Sequence, residues 1–334
     1  MDANTMENEK LEAWKKASSA PEAGNSLGID LGEIGLPFAM TEGMSARFEK
    51  GVLLVTHGPF VTSVRAVPPS GTSAEGEQDN PAVAGVQVLT LLPREMADVF
   101  EKDHHMMNAF NGLAVGGALS QNEKCSFYVG SQATMFSRQG AWHEVLVPLL
   151  RHAVLYGPSG MFSGAMAMMQ NEGKPLDPEA AAEGSAWTSE DLDKTAALIP
   201  DICPHSRSGM VLSAEFPMGG GASALLVMDA SVRHPGIGAG LLSTLSLPLA
   251  EASQEERERV TLALNRLEMY RESRAQHYGA WCWQENDTLR YVSFFPNIMH
   301  PNAAVTTSWP SVQAARAPWA LHIAASMLHE ARSK

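Results

Sequence analysis

Two stretches in different halves of this chain follow the same order of landmarks, and a chain that contains itself twice has few choices of architecture. Ser45-Ala46-Arg47-Phe48-Glu49-Lys50-Gly51 is echoed by Ser213-Ala214-Glu215-Phe216-Pro217-Met218-Gly219. Thr90-Leu91-Leu92-Pro93 is answered by Thr244-Leu245-Ser246-Leu247-Pro248, and Ala109-Phe110-Asn111-Gly112-Leu113 by Ala263-Leu264-Asn265-Arg266-Leu267. Asn111 and Phe127 are 16 residues apart, as are Asn265 and Trp281, which gives a constant offset of 154. At Phe48 and Phe216 the offset is 168, and a loop-like insertion at 68–81 in the first half accounts for the difference of 14. The polar, proline-containing run from Asn171 suits a linker. The expected organisation is an amino-terminal arm over 1–26, a first copy over 27–170, a linker over 171–187 and a second copy over 188–334.

Each copy reads as helices alternating with short strands. In the second, Thr188 and Asp191 make a capping box for a helix that Pro200 stops near Ile199. Three apolar runs bounded by Gly or Pro follow as strands: Gly209–Phe216, Ala222–Ala230 and Leu241–Leu247. From Gln254 to Arg274, Val260, Ala263, Leu264, Leu267 and Tyr270 recur at three- and four-residue steps, the signature of an amphipathic helix. Strands at Tyr278–Gln284 and Leu289–Phe295 and a helix over Ser311–Ala331 complete an α-β-β-β-α-β-β-α order. The first copy predicts strands at Met44–Glu49, Leu53–Val67 and Val86–Leu92, a helix over Arg94–Ala118, a hairpin across Lys124–Ser137 and a helix from Trp142. Its opening helix is weakly marked, because Asp30–Ala39 carries Gly32, Gly35 and Pro37. An antiparallel sheet with helices on one face buries such a pattern, so the fold class is α+β, two tandem copies packed as a pseudo-dimer.

That order, the Leu264-Asn265-Arg266-Leu267 segment and the Gly279-Ala280-Trp281 to Phe295-Pro296 hairpin resemble the secretion-chaperone-like fold. The group includes type III secretion chaperones and the YbjN-like sensory-transduction regulators. The resemblance implies an acidic, cytoplasmic, bacterial protein that holds a segment of a polypeptide partner against apolar surface, with a fused tandem in place of a homodimer.

Charge and composition narrow the function. With 37 acidic and 24 basic residues the net charge is −13, and no Lys/Arg cluster relieves it, so nucleic acid is not an expected partner. The longest apolar stretches stop well short of the roughly 20 residues that cross a bilayer, and the acidic start lacks an export pattern, so we expect a cytoplasmic chain off the membrane. The three cysteines, Cys125, Cys203 and Cys282, fit neither a disulfide framework nor a zinc knuckle. The 18 methionines read as core filling.

Candidate chemistry is sparse. His104 and His105 are adjacent on a helix and diverge by about 100°, and His143-Glu144 lacks the second histidine of a zinc-protease motif, so no metal is expected. Gly219-Gly220-Gly221 is a turn, and Gly236-Ile237-Gly238-Ala239-Gly240 precedes a strand where a dinucleotide fingerprint needs a helix. No nucleophile and no cofactor site stand out. Trp281 and Trp283 share one face of a strand, as do Tyr291 and Phe295 on the next. Either they form the core, or they present an apolar strip to an extended peptide. The expected function is non-enzymatic polypeptide binding, chaperone-like or regulatory, through these four aromatics. The alternative is an enzyme or ligand sensor with a site in the cleft between the copies, for which Cys203, His205 and His234 are the candidates.

Overall fold

Burial with a period of two marks the sheets: in Phe60–Val67, residues 60, 62 and 64 are buried while 61 and 65 face water. The computed structural model describes residues 3–20, 30–67, 84–121, 127–135, 161, 186–219, 221–249, 252–270, 277–284, 288–302 and 309–332. Among them are seven helices and two antiparallel sheets, an α+β architecture as expected. The expected helix from Trp142 and nearly all of the linker lie outside the described residues.

The first half runs α1 (Ala3–Ser18), α2 (Leu31–Met40), β1 (Met44–Glu49), β2 (Val52–His57), β3 (Phe60–Val67), β4 (Ala84–Leu91), α3 (Arg94–Lys102), α4 (His104–Asn111), β5 (Ala118–Gln121) and β6 (Phe127–Met135). The second runs α5 (Ser189–Ala196), β7 (His205–Ser208), β8 (Val211–Gly219), β9 (Ala222–Asp229), β10 (Arg233–His234), β11 (Gly238–Pro248), α6 (Gln254–Tyr270), β12 (Ala280–Trp283), β13 (Thr288–Pro296), a 3-10 turn over Asn297–Asn302 and α7 (Trp309–Arg332).

The two sheets have one strand order. The first is β1-β2-β3-β4-β6-β5 and the second β7-β8-β9-β11-β13-β12, with the two-residue β10 paired beside β11. The expected α-β-β-β-α-β-β-α order provides five strands, so the first sheet has one more and the second, with β10, two more. The sequence landmarks meet this order unevenly. Phe48 lies on β1 and Phe216 on β8, but the strand that matches β8 by position in its sheet is β2. Asn111 and Asn265 do take equivalent places, each near the end of the helix that precedes the last hairpin.

Several local expectations change for identifiable reasons. The run 53–67 is two strands, because Gly58 turns the chain with φ 53° into a hairpin between His57 and Phe60. The helix expected over 94–118 breaks at Asp103, whose extended backbone lets its carboxylate accept the His105 N–H and start α4. Ala118 then belongs to β5. Strand β7, His205-Ser206-Arg207-Ser208, is exposed along its whole length and has no alternation to betray it. Around α5, the Thr188–Asp191 capping box forms as expected, with both reciprocal bonds present.

Within the amino-terminal arm, expected to be flexible, Ala3–Ser18 forms a docked helix. Asp30 caps α2 by accepting from Glu33 N–H at 3.0 Å. Trp14 of α1 is buried and donates its indole N–H to Gly32 O at 2.9 Å. A Cβ at Gly35 would stand 2.6 Å from the Trp14 ring, so this glycine, unfavourable by helix propensity, permits the approach of the two helices. Together they pack on β1, β2 and β3, over Leu53, Val55 and Val64 on one face of the first sheet.

Asparagines close the exposed edges of β5 and β12. Asn111 donates to Leu119 O at 3.1 Å and accepts from Leu119 N–H at 2.8 Å. Asn265 does the same to Trp281, at 3.0 and 2.7 Å. A carboxamide matches a backbone residue in donors and acceptors and so completes a strand edge as a neighbouring strand would. The partner of Asn111 is thus Leu119, eight residues on, so Leu119 and not Phe127 is the counterpart of Trp281. Replacing Asn265 by Ala leaves both Trp281 backbone groups buried without these bonds. The expected loss is about 3 kcal/mol of unfolding free energy, read from a urea titration with the m-value unchanged.

Candidate functional site

The helices that carry the clamping asparagines also join the two halves. One turn before Asn111, Asn108 reaches across to the second half, donating to Trp283 O at 3.0 Å and accepting from Trp283 N–H at 2.7 Å. The backbone of the second half's edge strand is therefore held at Trp281 by its own helix α6 and at Trp283 by α4 of the first half. In the opposite direction, the buried Gln87 of β4 donates to Met269 O at the end of α6 at 3.0 Å. Gly130 on β6 faces the same methionine, where a Cβ would meet Met269 Sδ at 2.7 Å.

A second set of contacts crosses the seam at His234. This side chain is buried, its Nδ1 accepts from Gly236 N–H at 3.1 Å, and its Nε2 lies 3.2 Å from Leu113 O. With Nδ1 an acceptor, the proton sits on Nε2 and is donated to Leu113. Next to it, Phe294 N–H donates to Ala114 O at 3.1 Å, and the Phe294 ring stacks obliquely on the imidazole with centroids 5.1 Å apart.

Between α4 and α6 the seam opens into a cleft of about 380 Å³. His105 and Asn108 line it from the first half; Gln254, Arg257, Glu258, Trp283 and Gln284 line it from the second. Gln254 Nε2 bridges the halves, in contact with His105 Nε2 and bonded to Glu258 Oε1 at 3.1 Å. The Arg257 guanidinium lies 5.5 Å from the centroid of the Trp283 ring, whose N–H donates to Arg257 O at 2.7 Å. Behind the cleft a water-sized space is lined by Asn111, Thr261 and Asn265 among others.

The aromatic strip expected to meet a partner is core. Trp281, Trp283, Tyr291 and Phe295 are all buried, on the face that α6 and α7 cover. Two of them, Trp281 and Tyr291, contact a buried ionic group. Glu268 of α6 accepts from Arg316 Nε of α7 at 2.9 Å and from Trp281 Nε1 at 3.2 Å. The Arg316 guanidinium also donates to Gln313 at 3.1 Å and stacks 4.0 Å from the Tyr291 ring centroid. Burial works against the charge of Arg316, but the adjacent Glu268 outweighs it and holds the pKa above the ordinary arginine value. The rings of Trp281 and Tyr291 thus serve as walls for a desolvated ion pair, a role that requires them to face inward.

Cys203, His205 and His234 do not assemble. His205 is exposed on the outer edge strand β7, with Nδ1 3.0 Å from Cys203 O. His234 lies on β10, paired beside β11 at the seam with the first half, while β7 is the opposite edge of the sheet. The cleft between the halves does exist, with other residues in it. Of the partner-binding and cleft residues expected from sequence only Trp283 lines it, joined by His105, which the sequence offered only as a metal ligand to be rejected. The other five lining residues carry no motif, and Asn108, one turn from the landmark Asn111, was the available signal. Among the described residues no group of three or more His, Cys, Asp or Glu could hold a metal ion, and no helix is long and apolar enough to cross a membrane.

No family model, curated protein or solved structure matches this chain.

Acid sensitivity follows from His234. Burial lowers its pKa from 6.5 to about 4, against the opposing pull of the Leu113 carbonyl. A histidine in the unfolded chain takes up its proton first, so the stabilisation is complete above about pH 6.5 and is lost as pH falls toward 4. The expected loss is about 3 kcal/mol. Urea unfolding of the wild type and of His234→Gln between pH 7.5 and 4 checks it: the difference between the two proteins should shrink by that amount on acidification.

Proposed function

We propose that this chain is a non-enzymatic polypeptide-binding protein, and that its partner lies on the outer face of the first sheet. The observation that carries the reading is a cross-strand pair of large apolar residues left in water. Val61 on β3 and Leu91 on β4 stand directly opposite each other and are 39% and 50% exposed. Leu89 and Leu54 extend the same face, both half-buried. Across the sheet this face goes under α6 at Gln87 and Gly130, so it has a covered side and an open side. In the second sheet Leu225 is likewise 41% exposed on the face opposite the helices. An apolar sheet surface of this kind suits an extended segment whose alternate side chains enter it. The secretion-chaperone-like arrangement expected from the sequence agrees with this use, and the repeated strand order supports descent of the halves from one duplicated unit.

A second reading, a small-ligand sensor, is favoured by the 380 Å³ cleft to which both halves contribute.

Native mass spectrometry of the tagged protein purified from its own cytoplasm tests the main reading. Wild type should carry a stoichiometric polypeptide, and Val61→Ser with Leu91→Ser should lose it while its thermal midpoint stays within about 3 °C of wild type, since exposed substitutions cost little. Replacing Tyr291 and Phe295 by Ser should instead unfold the protein, because both are core. Retention of the polypeptide by the folded Val61/Leu91 variant would remove this face from consideration.

A further inference from the structure

We infer that the segment held on the outer face of the first sheet carries acidic side chains beside its apolar ones; the inference deepens, and rests on, the polypeptide-binding reading of that face. Strand pairing fixes what the face presents. Val61, Ser63 and Arg65 of β3 project to it at alternate positions, with Leu91, Leu89 and Gln87 of β4 directly opposite them. On its other side Ser63 is paired with Leu54 of β2, and Leu54 with Arg47 of β1. Apolar groups thus occupy one end and the middle of the face, and arginines its other end and its β1 margin.

In so acidic a chain these arginines are conspicuous. With 37 acidic residues against 24 basic, carboxylates are in excess, and Lys15, Lys194, Arg207 and Arg316 each have one as a salt-bridge partner. Arg47 and Arg65 are exposed, and among the described residues neither has such a partner. The Arg65 Nε donates to Gln87 Oε1 at 2.7 Å, which orients the guanidinium and leaves its terminal nitrogens as donors. Glu49, on the same face two residues from Arg47, offsets one of the two charges, so the strands of this face keep a net positive charge where the whole chain carries −13.

An extended segment laid along β3 repeats as the strand does, with about 6.8 Å between alternate side chains. Its first inward side chain meets Val61 and Leu91. The second sits over Ser63, a small residue whose hydroxyl donates to Leu89 O at 3.3 Å, between the half-buried Leu54 and Leu89. The third reaches Arg65, where a planar guanidinium binds a carboxylate through paired donors. The face therefore selects apolar, apolar and acidic side chains at alternate positions, with Arg47 a further cation at the margin.

The experiment is fluorescence anisotropy of the full-length protein, at low ionic strength, with three labelled synthetic peptides in which leucine alternates with serine and the leucine side ends in two glutamates, two glutamines or two lysines. The glutamate peptide should bind about fivefold more tightly than the glutamine peptide, and the lysine peptide most weakly. Arg47→Gln with Arg65→Gln should bring the glutamate peptide to within about twofold of the glutamine one, while Val61→Ser with Leu91→Ser should weaken all three. Arg47→Gln alone, an exposed substitution, should remove part of the preference, so the test holds whether or not the Arg65 variant folds. Equal binding of the three peptides, lost on Val61→Ser with Leu91→Ser, overturns the acidic partner and leaves the polypeptide reading of the face standing. A glutamate preference unchanged in the arginine variants overturns it as well. If no peptide binds, both fall, and capture of phosphatidylglycerol vesicles in that case would make the face a lipid surface.

Discussion

An edge strand packed inside a protein leaves a row of backbone donors and acceptors that water cannot reach, and here side-chain carboxamides fill that need. Three asparagines make paired bonds to the backbone of Leu119, Trp281 and Trp283. A buried backbone pair left unmet costs more than the net gain of the bonds that satisfy it, so these clamps dictate position as much as they add stability. Asn108 and Asn111 are three residues apart and therefore share one face of α4. One helix face thus holds the edge of its own sheet and the edge of the other. A shift of α4 relative to β12 would break both bonds at Trp283 together, so the seam is set by hydrogen bonding as well as by apolar packing.

That seam determines which surfaces remain open. In each sheet one face is taken by helices, α1 and α2 over the first and α6 and α7 over the second. The opposite face is taken by the other half, but only over the strands near the seam: Gln87 and Gly130 meet Met269, and Phe294 meets Ala114 and His234. Away from those contacts apolar side chains stay in water, Val61 on β3 and Leu91 at the far end of β4 in one sheet and Leu225 in the other. Exposed apolar residues on a sheet face, rather than scattered singly over loops, are the kind of exposure that invites a partner.

What could be read from the sequence was local. Strands β9 and β11, helix α6 and the capped start of α5 lie within a few residues of expectation, because alternation, helical periodicity and a Thr-to-Asp cap are short-range chemistry. Strand β7 was invisible because its four residues are all polar and exposed, held by pairing with β8 rather than by burial. Helix α2 looked improbable from Gly32, Gly35 and Pro37, since the reason for its glycines lies in another helix, where a Cβ at Gly32 would meet Ser18 and one at Gly35 the Trp14 ring. Facing direction was the larger loss. Period two showed that Trp281 and Trp283 share a side, but which side α6 and α7 would cover depends on Glu268 and Arg316, residues 48 apart in sequence. The cleft was beyond reach for the same reason: its walls come from helices about 150 residues apart, and none of its residues belongs to a motif.

Symmetry between the halves is broken where it bears most on function. By the offset that superposes Asn111 on Asn265, the counterpart of Asn108 is Leu262. A leucine cannot pair with a strand edge, and Leu262 packs instead against the apolar cluster formed by Phe100, Met107, Phe110 and their neighbours. A fully symmetric seam would hold two equivalent openings. With Asn on one side and Leu on the other, the Asn108 side is polar and meets Gln254, Arg257 and Glu258 at the cleft, while the Leu262 side adds to the core. An apolar filling is the simpler way to stabilise an interface, because a buried amide gains little net free energy over a well-packed hydrophobe. That Asn108 is spent on Trp283 at the wall of the cleft therefore argues that this end of the seam is shaped for polar contact, and that the two halves, though alike in strand order, meet there through different chemistry.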